Sequence, residues 1–374
     1  MVETLNKQNI RSEYDLIIIG GGYIGAWATY FASQYCPDWH ILLVDAQTFG
    51  SGATRYAADL DFPNNRTNVH RHLSRHSRNL IQAARQSIPS LPFVDCPAYL
   101  VGGNQELANY KINHPESPDA SWNGASVSLS GFPFRRPNDQ YLLKDIAAQR
   151  TTDKSLIPQL LDAALALNSK ISFRERLGVS AVRRKGEEYE LSFGQGIQKR
   201  AKKIISAVGP WAVEAPWLST LRSQLRVKKV VAYSIELPPK VDDTVVYLLN
   251  EGAFLLPQQE KDRWLFSVTS AEWDCPVRED ALTFKAVEQK LAKGILTKYL
   301  PEFLPYLSEG LIFCDAYPKV GHPILQSVDG TDNHLYVGGC SGSGFRLSPA
   351  MAYQAIQKLK QSHPALVAQQ TIKS

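Results

Sequence analysis

The first stretch of the chain, Met1 to Asp15, is polar with mixed charge, and then the pattern changes abruptly. Leu16-Ile17-Ile18-Ile19 is continuously apolar, Gly20-Gly21-Gly22 breaks the run, a helical stretch follows from Tyr23, and Ile41-Leu42-Leu43-Val44 is a second apolar run closed by Asp45. Short apolar runs bounded by turn residues are the pattern of strands buried on both faces of a parallel sheet. The spacing predicts strand, glycine turn, helix, strand. Small residues from Gly50 to Thr54 then lead into a new helix, and the Arg66 to Ala84 segment reads as a basic helix. Tyr99 to Val101 reads as a strand, and Pro115 to Asn138 as loop, with Gly131, Pro133 and Pro137 as turn signals. Leu156 to Leu167 is an amphipathic helix, with strands beginning at Ile171 and covering Tyr189 to Phe193 and Lys203 to Val208.

From about 225 to 270 the pattern becomes short alternating runs (Val230 to Ile235, Thr244 to Leu248, Trp264 to Val268), which predicts a largely antiparallel sheet. A helix from about Ala281 to Tyr299 ends at Pro301, the last strand is Leu335 to Val337, and a terminal helix is expected to begin near Pro349. The fold class is therefore α/β, a Rossmann-type domain (1–90, 146–215, 318–374) interleaved with an antiparallel-sheet domain (91–145, 216–317). The length of 374 residues fits two domains, and 44% hydrophobic residues supply a large core.

Leu16 to Ser33 carries no charge and is about as long as the roughly 20 apolar residues of a membrane helix. Its four early glycines favour an extended start instead, and no cleavage pattern precedes it. A cytoplasmic protein with no membrane partner is the expectation. The net charge of +5 is modest and spread along the chain. Five scattered cysteines without CxxC spacing indicate neither a disulfide framework nor a zinc site.

Gly20 permits a tight turn, Gly22 lets backbone approach a pyrophosphate, and Gly25 lets the helix pack on the strand. The anion would sit on the helix N-terminus at Tyr23 and Ile24, where N–H groups and the helix dipole favour negative charge. Asp45, 20 residues beyond Gly25, is placed for the adenosine ribose hydroxyls and would repel a 2′-phosphate. Two later segments extend this reading. Ile204 to Trp211 is a buried strand breaking at Gly209, and Tyr336 to Ala350 joins strand to helix through four glycines in seven residues, Gly338 to Gly344. A second glycine loop suits a long, enclosed flavin.

With these motifs the chain resembles the D-amino acid oxidase superfamily of FAD-dependent amine oxidoreductases, nearest in motif to sarcosine and glycine oxidases. The resemblance implies an FAD-binding domain interleaved with a substrate domain. It places Gly339, Gly342, Ser343, Gly344 and Phe345 against the flavin ring, and Gly52, Ala53, Thr54 and Arg55 near it, with Val179, Gly209 and Trp211 completing the cofactor contacts. It implies that Cys314, eight residues before His322-Pro323, bonds covalently to the flavin, the alternative being a small buried thiol. Cys340 reads as a small residue fitting the loop. Arg346 stands where the sarcosine oxidase group has a lysine that holds the substrate carboxylate, the alternative being a surface arginine.

Two departures matter. Ala58 stands where a second arginine is expected, and no lysine occurs in Trp264 to Thr269, only Lys261 upstream, which leaves the electron acceptor open. The candidate catalytic groups are Arg346, Tyr247, Tyr317 and His322. The implied function is oxidation of a C–N bond in an amine or amino-acid-like substrate, giving an imine. The alternatives are a dehydrogenase or desaturase using an acceptor other than oxygen, and a flavin-binding scaffold without catalysis. His70, His72 and His76 invite a metal reading, but Arg66, Arg71, Arg75 and Arg78 surround them and oppose a cation. No metal is expected; such a face could dock an acidic carrier presenting a tethered substrate. Neither hydrolysis nor a nucleic-acid platform is indicated.

Overall fold

The structure is a computed structural model and describes residues 11–62, 67–96, 98–114 and 127–361. Arg66 and the first part of the expected loop, 115–126, lie outside the described residues. The first sheet has eight strands built on a parallel core: Ile171–Arg174, Ile41–Val44, Glu13–Ile19, Gln198–Ser206 and His334–Gly338. Its first strand alternates between two packed faces. Leu16 and Ile18 meet the helices Tyr23–Tyr35, Leu156–Leu167 and Gly344–Gln361, while Ile17 and Ile19 meet Tyr189, Leu191 and Phe193 of an antiparallel extension. Burial on both sides is why the run has no polar position. The apolar stretch Leu16 to Ser33 is thus strand, turn and helix, and among the described residues no helix is long and apolar enough to cross a membrane.

The second sheet has seven strands, in the order Leu307–Pro318, Leu225–Ile235, Arg263–Val268, Ala253–Gln258, Val245–Leu248, Ala98–Gly103, Gln140–Ile146. All neighbours are antiparallel except Val245–Leu248 beside Ala98–Gly103. One face packs Tyr233, Ile235, Leu255, Trp264 and Phe266 against the helix Ala286–Tyr299. The other looks toward the first sheet across a cavity.

Two expected boundaries move. The helix expected from Ala281 begins at Ala286, after a short 3-10 turn at Glu279–Ala281. The terminal helix begins at Gly344 rather than near Pro349, so Pro349 lies inside it. Proline has no N–H to give the Phe345 carbonyl, and the Ser348 hydroxyl donates to that carbonyl instead, at 3.0 Å. The local cost of the proline is offset by its neighbour.

Candidate active site

A cavity of about 600 Å³, within the usual range for ligand sites, is lined from both sheets. At its first end the chain turns from strand to helix. Gly20 has φ +106°, and an added Cβ would lie 2.4 Å from the Ala207 carbonyl oxygen. At Gly25 it would lie 1.9 Å from the Gly20 carbonyl oxygen, so helix and turn touch backbone to backbone. The helix is preceded by Gly22, with no side-chain cap and no acid in its first turn. Its opening residues, Gly22, Tyr23 and Ile24, line the cavity, and the Tyr23 N–H reaches the Thr54 hydroxyl at 3.2 Å. An uncapped N-terminus facing a cavity is an anion site. Asp45 closes the second strand, its Oδ2 accepting the Gly21 N–H at 2.7 Å and its Oδ1 the Gln47 N–H at 2.8 Å. Burial pushes its carboxyl up, against the pull of those two donors.

The far end is built differently. Gly339 (φ +67°), Ser341 (φ +54°) and Gly342 (φ +77°) take left-handed conformations in quick succession, and the loop leads straight into the terminal helix, whose Gly344, Phe345 and Arg346 face the cavity. The loop is tied to the strand Leu307–Pro318: the Ser341 N–H donates to the Ala316 carbonyl at 3.2 Å and the Gly342 N–H to Asp315 Oδ2 at 2.7 Å. Phe313, Asp315 and Tyr317 of that strand alternate toward the cavity. Lys228 stands opposite Asp315 in the register of the neighbouring strand, with its ammonium 5.1 Å from the Trp273 ring centre and 5.6 Å from that of Tyr317. Asp315 Oδ1 accepts the Ala316 N–H at 2.8 Å, and burial pushes its carboxyl up to about 6. Aromatic rings panel the wall. Phe62 stacks on Tyr247 (5.0 Å, 2°), Tyr247 on Phe254 (6.0 Å, 12°) and Tyr56 on Phe313 (5.5 Å, 12°).

Residues 15–357 match the family model described as DAO, FAD dependent oxidoreductase. The chain belongs to this family. It is an FAD-dependent oxidoreductase, and the uncapped helix, Asp45 and the glycine-lined cavity fit the cofactor. Solved structures share the fold. Glycine oxidase from Geobacillus kaustophilus aligns with TM-score 0.70 and 16% identity over 95% of this chain and 96% of that one. Iminodiacetate oxidase from Chelativorans gives 0.71 and 17% over 93% and 96%. L-proline dehydrogenase from P. horikoshii gives 0.73 and 13% over 96% of both chains. No curated protein matches the chain by sequence.

Of the expected cofactor residues, all line the cavity except Gly25, Arg55 and Cys314; of the expected catalytic groups, Arg346, Tyr247 and Tyr317 line it and His322 does not. Gly25 serves the close packing beneath the turn. Arg55 is exposed, its guanidinium 5.6 Å from the centre of the Tyr56 ring. His322 sits beside Gly321 in a turn, with Nδ1 3.1 Å from the Pro323 carbonyl oxygen. Cys314 lies apart from the cavity lining that a covalent bond to the flavin would need it to reach. Strand alternation sends Phe313, Asp315 and Tyr317 into the cavity and Cys314 to the reverse side, against Cys275, Val277 and Leu282. Burial pushes its thiol up to about 12, which suits a core residue rather than a nucleophilic thiolate. Arg346 is no surface arginine: it is buried, and its guanidinium donates to the Phe62 carbonyl and, at 2.9 Å, to the Ser343 hydroxyl.

The histidine-rich helix runs from Asn68 to Ser87. His70 is buried beside Thr67, Arg78 pairs with Asp61 at 2.7 Å, and His76 meets the Tyr353 ring edge-on at 5.2 Å. Among the described residues no group of three metal-ligating side chains comes together. Sequence reasoning passed over Asp315, Lys228, Tyr56 and Phe62. Only the period of two in Phe313 to Tyr317 carried a signal, since it cannot place both Cys314 and Tyr317 on the cavity side.

Proposed function

We propose that this enzyme oxidises a carbon–nitrogen single bond in an amine or amino-acid-like substrate. The observation that carries the reading is the continuity of the cavity from the Gly20 to Asp45 cradle to the aromatic wall of the second sheet, a single space in which cofactor and substrate would lie side by side. The three neighbours named above are named for compounds with such bonds. Backbone N–H groups at Gly22 to Ile24 would hold the pyrophosphate, Asp45 would accept from ribose hydroxyls, and the Gly339 to Gly344 loop would border the ring system. FAD, when bound, supplies a two-electron acceptor for the hydride leaving the carbon next to nitrogen, whose lone pair completes the C=N bond. The protein's part is to position that carbon, and the panel of Phe62, Tyr247 and Phe254 keeps water from the reacting face.

The acceptor that reoxidises the cofactor is either oxygen or another carrier of electrons; Lys228, on the strand beside Arg263–Val268, is the cavity lysine to test in that role. The five free thiols favour a reducing, cytoplasmic setting. The test is anaerobic titration of the holoenzyme with amines and amino acids, free and carrier-bound, beside matched alcohols. Bleaching of the flavin by an amine, followed by oxygen uptake on readmitting air, identifies an amine oxidase. Bleaching without oxygen uptake identifies the dehydrogenase. Bleaching by alcohols alone would overturn the reading, and a structural neighbour named L-alpha-glycerophosphate oxidase makes that outcome worth including. So would an unbleached flavin with every compound, which is the behaviour of a scaffold.

A further inference from the structure

Most charged groups around the cavity already have a partner within the protein. Asp59 is paired with Lys154, and Arg346 is engaged by Phe62 and Ser343. Asp45 and Asp315 each accept two backbone N–H groups instead, Asp45 from Gly21 and Gln47 and Asp315 from Ala316 and Gly342, and neither is ion-paired among the described residues. Of these two, Asp315 is the one on the second sheet, at the aromatic wall. A carboxylate kept in a cavity wall without a cation costs several kcal/mol unless something charged answers it. Its surroundings suit a cation. Phe313 and Tyr317 flank it on the same face, Tyr56 stacks on Phe313, and the Trp273 and Tyr317 rings already accept the Lys228 ammonium. The two backbone donors fix the carboxylate, so a ligand meets a preset acceptor.

We infer that Asp315 is the substrate-binding carboxylate of this site: the substrate arrives as a cationic amine with its apolar body on the aromatic panel, not as an anion anchored by its carboxylate, and passes its ammonium proton to the Asp315 carboxylate, which frees the nitrogen lone pair before the hydride leaves. The inference rests on the reading of this wall as the substrate side. The titratable groups about Asp315 are Lys228 on the adjoining strand, Tyr336 on the last strand, Cys340 in the glycine loop after it, Cys314 on its own strand and Arg346 on the terminal helix. Burial keeps the two thiols and the phenol neutral, and the Lys228 ammonium lies over the Trp273 and Tyr317 rings.

The experiment titrates anaerobic holoenzyme with benzylamine, benzyl alcohol and benzoate, three ligands of one shape and different charge, and follows the perturbation of flavin absorbance. Benzylamine should bind at least tenfold more tightly than benzyl alcohol, with benzoate weakest, and the preference should fade as pH falls through about 6, where Asp315 takes up a proton. Asp315→Asn should keep its FAD and lose the preference. Benzoate binding as well as benzylamine in the unaltered enzyme would overturn the inference without any variant, as would a preserved preference in Asp315→Asn. A benzylamine preference in an enzyme that no amine bleaches would support the inference and defeat the proposed reaction. Bleaching by amines with an unchanged preference in Asp315→Asn would do the reverse.

Discussion

At the glycine turn, the groups placed for the cofactor's pyrophosphate and ribose come from one continuous stretch, Gly20 to Asp45, whereas the opposite wall takes Asp315, Lys228 and Tyr247 from three separate strands of the second sheet. The first region is rigid because backbone lies on backbone, with no room for a methyl group at Gly20 or Gly25. The second is set by register, Lys228 facing Asp315 because the strands Leu225–Ile235 and Leu307–Pro318 pair as they do. In the proposed reading, recognition of the pyrophosphate and ribose is local in sequence, and substrate recognition depends on pairing between distant segments.

The largest expected effect breaks the first region. Gly25→Val would force side-chain atoms into the Gly20 carbonyl, where an added Cβ already lies at 1.9 Å, and should cost on the order of 3 kcal/mol or more. The variant is expected to be colourless with a lowered melting temperature; full FAD content at unchanged stability would mean that the turn is not the rigid element described.

A comparable effect belongs to pH and to the same sheet. His334, at the start of the last parallel strand, is buried beside Ser206 Oγ at 3.0 Å, and burial pushes its imidazole down to about 4. The folded protein keeps it neutral while an unfolded chain protonates it near 6.5. Unfolding therefore takes up a proton below that pH, and the His334 contribution is lost as pH falls from about 6.5 toward 4, by about 3 kcal/mol in all. The measurement is the difference in unfolding free energy between the native enzyme and His334→Gln across that window. A difference independent of pH would show that His334 is already charged or not buried.

Arg346 lies where the two regions meet. Arg346→Met removes the donors to Phe62 and Ser343 and should lower stability by about 1 to 3 kcal/mol with FAD retained. A normal melting temperature combined with weaker binding of carboxylate-bearing ligands would instead make Arg346 the anion anchor that the sequence suggests.

The smallest effect concerns Cys314. Cys314→Ala leaves a small gap beside Cys275 and should cost about 1 kcal/mol, within the range for small core deletions. Acid precipitation should release FAD to the supernatant from both the native enzyme and the variant. Yellow colour retained in the native pellet alone would restore the covalent bond and place the strand one residue out of register.

The contrast between the two regions also explains what could be read from sequence. The strand, turn, helix and acid at 15–45 were legible because the chemistry needs contiguous residues with fixed spacing. The glycine loop at 338–344 was legible for the same reason, although the helix start was placed five residues late because Pro349 reads as a first-turn residue and the compensation by Ser348 is invisible without coordinates. Cys314 was assigned by its residue type and its distance from His322-Pro323, a criterion blind to the side of a strand. Asp315, its neighbour, was passed over although it faces the cavity. Lys228 could be found only from cross-strand register, which no local pattern encodes.

The most direct test of a cavity shared by cofactor and substrate is an experimental structure of the holoenzyme soaked anaerobically with benzylamine. The account predicts the FAD pyrophosphate on the N–H groups at Gly22 to Ile24, the ring system beside the Gly339 to Gly344 loop, and the ammonium on the Asp315 carboxylate. A flavin bound elsewhere, or an amine seated away from Asp315, would contradict it.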